Sequence, residues 1–349
     1  MGSETKRRVV RMAVAMCILA VAYLLASFLS SAQEEAGKDR LDAVRPEFYS
    51  LVEKNASIEK VAGDLLPNKT FRVSFGTFEH FTEGPVWDPQ GLLLFSDIYG
   101  DKIYKWRPGS PPGVFRDNAG YPNGLTFDQQ GRLIICDQKL RRVERVEEDG
   151  TITVLADGWD GKKLNCPNDV VVRRDGTIYF TDPYWKFPPG SVQELSFQGV
   201  FGITPEGKLF LAAKDFGLPN GIALSPDEKT LYIGDTAKRE LVAFDVSADG
   251  LLSARRLLAQ LRSKETGAVD GMKVDECGNI WTTGPGGIWV FNKSGAHLGT
   301  IRPPAIPGNC AWGDRVYRSL YMATPSAIYK IRTRVRGKAT YPLKSSRTH

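Results

Sequence analysis

Glu83-Gly84-Pro85-Val86-Trp87, running through a turn into the β-rich stretch Leu92 to Asp97, is one of six copies of a single short phrase in this chain. The second and third are Asn123-Gly124-Leu125-Thr126-Phe127 into Leu133 to Asp137, and Asn168-Asp169-Val170-Val171-Val172 into Ile178 to Asp182. The fourth is Asn220-Gly221-Ile222-Ala223-Leu224 into Leu231 to Asp235. The last two are Asp270-Gly271-Met272-Lys273-Val274 into Ile280 to Thr283, and Asn309-Cys310-Ala311-Trp312 into Ser319 to Thr324. Their leads fall 40, 45, 52, 50 and 39 residues apart. A self-similar period of this size, rich in short strands and turns, is the signature of a β-propeller with one four-stranded blade per repeat. Six copies predict an all-β chain, a six-bladed propeller over residues 57–331.

Rotation about a central channel brings equivalent positions of successive blades together. The leads Glu83, Asn123, Asn168, Asn220, Asp270 and Asn309 then form a ring of oxygen donors with two formal negative charges and no nitrogen or sulfur ligand. Such a ring suits a hard cation, Ca²⁺ first. The plainer reading makes them turn caps, because Asn-Gly and Asp-Gly are ordinary turn pairs. Recurrence at one phase of a six-fold repeat favours the ring. Asp97, Asp137, Asp182 and Asp235 also recur, at the ends of the following strands, and are expected to cap turns rather than to catalyse.

At 349 residues the chain is read as one propeller with short extensions rather than two domains. Its net charge of +6 comes largely from the two ends, and no basic stripe with interleaved aromatics appears, which argues against a nucleic-acid partner. The only histidines are His80, His297 and His349. None pairs at zinc spacing or sits at a lead, which argues against a zinc centre and a Ser-His-Asp triad. Cys17, Cys136, Cys166, Cys277 and Cys310 have no metal-finger spacing and do not make a disulfide framework, although one bridge is compatible with export.

Residues 1–32 read as a signal peptide or an N-terminal membrane anchor: four basic residues, the apolar stretch 12–29, then Ser30-Ser31-Ala32 as a cleavage site. Both forms place the propeller outside the cytoplasm, periplasmic, extracellular or membrane-attached. Residues 33–56 are a linker with a short helix over Pro46 to Lys54, and Ser57 to Ala62 is a strand expected to complete the blade begun by the C-terminal repeat. Residues 332–349 are expected to be a basic, solvated tail. Asn55, Asn68 and Asn292 open glycosylation sequons, usable only in a eukaryotic secretory route.

Phe81-Thr82-Glu83-Gly84-Pro85-Val86-Trp87, Phe95-Ser96-Asp97, Cys166-Pro167-Asn168-Asp169, Pro219-Asn220-Gly221-Ile222, Val269-Asp270-Gly271-Met272 and Gly308-Asn309-Cys310 resemble the motifs of the SMP-30/gluconolactonase/LRE-like, regucalcin-type six-bladed propellers. The resemblance spans about Ile58 to Ile331. It implies a divalent cation held by Glu83, Asn220 and Asp270, with Asn168 beside it as a further ligand, directly or through water, and in contact with substrate. Ca²⁺ is the first choice, with Zn²⁺, Mg²⁺ or Mn²⁺ as alternatives. Paraoxonase-type relatives carry a channel His where this chain has Asn123, which argues against their proton relay.

The expected activity is metal-dependent hydrolysis of a lactone or similar small ester at the channel mouth. Asp270 and Asn168 are the catalytic candidates, and Asn123, Asn168 and Trp185 the substrate-binding ones. Trp185 lies in an insertion between Pro183 and Gly199 whose Trp185, Phe187 and Phe197 either wall the site or pack on a neighbouring blade. Two rivals stay open: a non-catalytic Ca²⁺-stabilised binding propeller, and a strictosidine-synthase-like enzyme, against which the joint presence of Glu83, Asn168, Asn220 and Asp270 argues.

Overall fold

The computed structural model describes residues 40–340 except 64, 66–70, 74–75 and 89. The signal or anchor segment, the Asn68 sequon and residues 341–349 lie outside the described residues. Among those described, no helix is long and apolar enough to cross a membrane.

Six antiparallel sheets of four or five strands follow one another along the chain, alongside two small two-stranded ladders among the described residues, Phe71–Val73 with Gly76–Phe78 and Gly158–Trp159 with Lys162–Lys163. Blade 1 comprises Thr82–Trp87, Leu93–Asp97, Lys102–Trp106 and Gly113–Asp117, and blade 2 Pro122–Phe127, Leu133–Asp137, Arg142–Val146 and Ile152–Ala156. Blade 3 comprises Val170–Val172, Ile178–Asp182, Gly199–Ile203 and Leu209–Ala213, and blade 4 Pro219–Leu224, Thr230–Asp235, Glu240–Val246 and Leu252–Gln260. Blade 5 is Met272–Val274, Ile280–Gly284, Gly287–Phe291 and His297–Ile301, to which Leu41–Ala43 adds a fifth, outermost strand. Blade 6 is Asn309–Gly313, Ser319–Thr324 and Ala327–Arg332, completed by Ile58–Ala62 from the N-terminal side. This is the predicted ring closure: one blade draws strands from both ends of the propeller, so opening the ring costs a whole strand ladder.

Each blade's first strand touches the first strand of the next, and blade 6 returns to blade 1. These innermost strands are wholly buried in blades 1, 2, 4 and 6, whereas the outermost strands of blades 2 and 4 are largely exposed. Apolar side chains fill the spaces between blades; Trp281, Trp312, Tyr321, Leu320 and Ile331 form part of the cluster between blades 5, 6 and 1. The linker helix is shorter than expected, Phe48–Leu51, and drives the fully buried Phe48 into this cluster. Burial of one such ring contributes roughly 1.5–3 kcal/mol.

The end of the chain departs from the expected solvated tail over the residues described. Gly337 bridges to Asp275, Lys338 N–H donates to the Val274 carbonyl (2.9 Å), and Thr333 is 4% exposed. Lys338, Ala339 and Thr340 lie with Leu125, Val172, Leu224 and Val274 at the ends of the inner strands remote from the leads. The tail therefore closes the far end of the channel. Its Lys and Arg content pointed to solvent, but Gly337, Val335 and the Lys338–Glu228 pair (3.2 Å) dock it.

Candidate active site

At the other end, the leads stand at the start of the inner strands or just before them, around the floor of a cavity of about 870 Å³. Glu83, Asn123, Asn168, Asn220 and Asp270 all line it. The glycine after the lead explains how they come so close. A Cβ on Gly221 would stand 2.1 Å from the Asp270 carbonyl oxygen, and one on Gly84, at φ +47°, 2.1 Å from that of Asn123. The Asn-Gly and Asp-Gly pairs are thus not turns here; only glycine lets neighbouring inner strands converge on the axis. Hydroxyls on the second strands or just beyond them tie the ring together: Ser96 donates to the Asn123 carbonyl (2.6 Å), Thr181 to Asn220 (2.7 Å) and Thr236 to Val269 (2.5 Å).

The sixth lead differs. Asn309 is buried but does not line the cavity: its Nδ2 donates to Glu83 Oε2 at 2.9 Å while Cys310 N–H donates to its Oδ1 at 2.8 Å. The expected ring of six is therefore five floor residues with Asn309 behind Glu83. Asp169 and Lys273 share that deeper layer, 3.9 Å apart, with the Lys273 ammonium 3.5 Å from Asn309 Oδ1.

The electrostatics of the floor are those of a site built around positive charge. Burial pushes the Glu83 carboxyl above the usual carboxylate range, opposed by hydrogen bonds from Gly84 N–H and Asn309. Desolvation also holds Asp270 well above the usual carboxylate range, reinforced by the negative charge of Glu83 and Asp169. Asn123 Oδ1 and Asn220 Oδ1 are buried with no hydrogen-bond partner. For Asn220 the orientation follows from its neighbours: Thr236 spends its proton on Val269, so its oxygen accepts from Asn220 Nδ2 (3.1 Å), and Oδ1 is left free. Two disfavoured carboxylates and two orphaned amide oxygens fit a hard divalent cation, which would satisfy all four. Counting Glu83, Asp270 and Asp169 against Lys273 leaves two negative charges, the complement of a divalent ion. Among the described residues no three His, Cys, Asp or Glu side chains gather at one point, so amide oxygens are essential to such a site.

The insertion of blade 3 resolves into two parts. Trp185 and Phe187 line the cavity, with Phe187 packed against Tyr99 (centroids 5.8 Å apart) and Tyr121 (5.2 Å), so the loop straps across blades 1 and 2. Phe197 and Leu195 instead pack with Phe201 in the blade core. Phe197 is therefore not a wall residue; it sits next to Gly199, where the third strand already begins. Glu194 anchors the strap through Arg141 (2.9 Å).

The recurring aspartates cap backbone as expected: Asp97 accepts from Phe81 and Gly100 N–H, Asp182 from Asn165 and Cys166, Asp235 from Gly217 and Leu218. His80 pairs with Asp97 at 2.6 Å and is not among the cavity-lining residues. Cys136, Cys166, Cys277 and Cys310 are all free thiols. Reading by repeats missed Gln138 and Thr236 at the floor and Phe81, Ile98 and Tyr99 in the wall, because they occupy phases at which the other blades carry unrelated residues.

Comparison with known proteins matches residues 81–326 to the model of the SMP-30/Gluconolactonase/LRE-like region. A gluconolactonase of Zymomonas mobilis is 29% identical over 319 residues, covering 84% of this chain and 85% of its own. Xenopus laevis regucalcin is 28% identical, covering 69% and 82%. The solved structure of a Xanthomonas campestris gluconolactonase superposes with a TM-score of 0.74 at 30% identity, covering 85% of this chain and 96% of that one.

Proposed function

The chain belongs to the SMP-30/Gluconolactonase/LRE-like family, and on that footing we propose that it hydrolyses a lactone or similar small ester, outside the cytoplasm, with a divalent cation, Ca²⁺ first, at the cavity floor. The observation that carries this reading is the pair of orphaned amide oxygens, Asn123 Oδ1 and Asn220 Oδ1, beside the buried Glu83 and half-buried Asp270 carboxylates, whose ionisation desolvation disfavours. Gluconolactonases and lactonases among the relatives support the reaction class.

Glu83, Asn220 and Asp270 would hold the cation, with the Asn123 oxygen as a further donor and Asn168 beside them. When bound, it supplies Lewis acidity toward an ester carbonyl. The remaining work falls to side chains. Glu83 Oε2 already accepts from Gly84 N–H (2.8 Å) and Asn309, which fixes it as an anionic ligand. Asp270 is the floor carboxylate left to take the proton of the attacking water, Glu265 higher in the cavity being paired with Arg302; desolvation of Asp270 opposes the pKa-lowering effect of the cation. Asn168 and the Asn123 Nδ2 group orient the substrate oxygens, with Trp185 and Phe187 of the strap lining the same cavity.

The test is lactone opening by the purified chain with Ca²⁺, Mg²⁺, Mn²⁺ or Zn²⁺ in turn, and again with chelator. Turnover that chelation abolishes and Ca²⁺ restores is expected. Absence of turnover on sugar and aliphatic lactones with every cation would leave a binding propeller in place of the enzyme.

A further inference from the structure

The cavity is larger than its floor requires, and part of its lining is apolar. At about 870 Å³ it lies in the range, roughly 300–1,000 Å³, that buries a drug-sized ligand. A single lactone ring on the five floor residues takes up only part of it. Above the floor the lining changes character: Phe81 and Tyr99 come from blade 1, Phe187 and Trp185 from the strap, and Ile306 and Pro307 from the loop before blade 6. This wall is preformed, since Phe187 is 7% exposed and wedged between Tyr99 and Tyr121, with Tyr99 in turn 6.0 Å from Phe81. Ile306 faces it with 37% of its surface open. Trp185 Nε1 is buried without a partner, a donor on an otherwise apolar face.

We infer that the lactone carries an apolar substituent, an alkyl chain or aryl group, which lies along Phe81, Tyr99, Phe187 and Ile306 while the ring sits on the floor. The inference rests on the lactone-opening reading and adds the substrate class. Along this wall a ring bearing several hydroxyls sets them against side chains that cannot pair them, so their desolvation goes uncompensated. The polar lining outside the floor leads, Gln138, Thr236, Arg239, Lys264, Glu265 and Thr266, comes from blades 2, 4 and the approach to blade 5. Each methylene of an alkyl tail instead leaves water for hydrocarbon, which raises kcat/KM about fourfold as long as the wall continues.

The experiment uses the purified full chain with Ca²⁺ and δ-lactones bearing no substituent, then linear alkyl groups of increasing length, with gluconolactone alongside. Specificity is expected to climb about fourfold per methylene over the first few carbons, with gluconolactone below an alkyl lactone of similar size. Ile306→Asn, at an exposed position, and Phe187→Ala should each flatten the series. In parallel, calorimetry with 2-alkylcyclopentanones, which have a ring and tail but no scissile bond, reads the wall without turnover and should show affinity rising with chain length. Flat responses in both series, with unsubstituted and sugar lactones still opened, overturn the tail and leave hydrolysis standing. Rising ketone affinity with no lactone opened leaves the apolar wall and removes the hydrolysis.

Discussion

Asn309 Nδ2 lies 2.9 Å from Glu83 Oε2, and the Asn309 amide cannot turn round, because Cys310 N–H holds its Oδ1 at 2.8 Å. Gly271 makes room for this amide: a Cβ there would stand 2.0 Å from Asn309 Cγ. Blade 6 therefore aims the carboxylate of blade 1 at the floor across the point where the ring closes.

From this pair follows the first prediction. Asn309→Ala keeps every floor residue but frees Glu83, and loss of such an outer partner typically weakens metal binding about 10- to 100-fold. Calorimetric titration with Ca²⁺ should show that loss, with affinity reduced but measurable. An unchanged affinity would mean that Gly84 N–H alone orients Glu83.

Removal of a floor carboxylate is a harsher change. Glu83→Ala or Asp270→Ala leaves one anion facing the two orphaned amides, and Ca²⁺ binding and lactone turnover are both expected to disappear. Asn168→Ala should behave differently, lowering kcat far more than Ca²⁺ affinity, because Asn168 is assigned chiefly to substrate. Equal losses of affinity and kcat in Asn168→Ala would move it into the ligand set.

Acid should stabilise the cation-free protein and destabilise the loaded one. Burial raises the folded-state values of Glu83, to about 7, and of Asp270, while the unfolded chain keeps ordinary carboxylates. Over that interval the folded state binds more protons than the unfolded state, so stability falls as pH rises from about 4.5 to 7. A bound cation removes the mutual repulsion and reverses the trend. Thermal melts in chelator should decline across this window and in Ca²⁺ should rise, and Asp270→Asn should flatten the chelator curve. Parallel curves with and without Ca²⁺ would detach these carboxylates from the cation.

How much of this was legible in the sequence depends on whether a feature repeats. The period gave the blades, and the phase gave Glu83, Asn123, Asn168, Asn220 and Asp270 at the floor. The depth of Asn309 was not readable, because six-fold phase fixes height along the axis but not which way a side chain turns. Phe81, Tyr99 and Ile306 belong to connections between strands, where no period operates, and their convergence is a property of the closed ring. The role of glycine was not readable for a similar reason: Asn-Gly is a turn pair locally, and only the approach of Asn123 or Asp270 from the next blade shows it to be a clearance requirement. Composition misled at the chain end, where basic residues concealed a docked segment.

That segment yields the last prediction. Lys338 Nζ lies 3.2 Å from Glu228 Oε1, and Glu228 Oε2 accepts the Arg174 N–H at 2.9 Å, so the tail is fastened to the loops of blades 3 and 4 through one 6%-exposed carboxylate. Lys338→Met preserves most of the packing and leaves Glu228 without its closest cation, Arg174 being 3.6 Å away and 69% exposed. Breaking a fully buried pair this way costs about 3–5 kcal/mol; with 19% of the Lys338 side chain open to solvent, about 2 kcal/mol is expected. Glu228→Gln in the same chain removes the stranded charge and should return much of that loss, so denaturant unfolding of the two single variants and the double variant should show strong non-additivity. Lactone turnover should hardly change, because this pair lies at the end of the channel remote from the floor. Additive losses in the cycle would mean that the tail is held by Gly337 and Val335 packing alone.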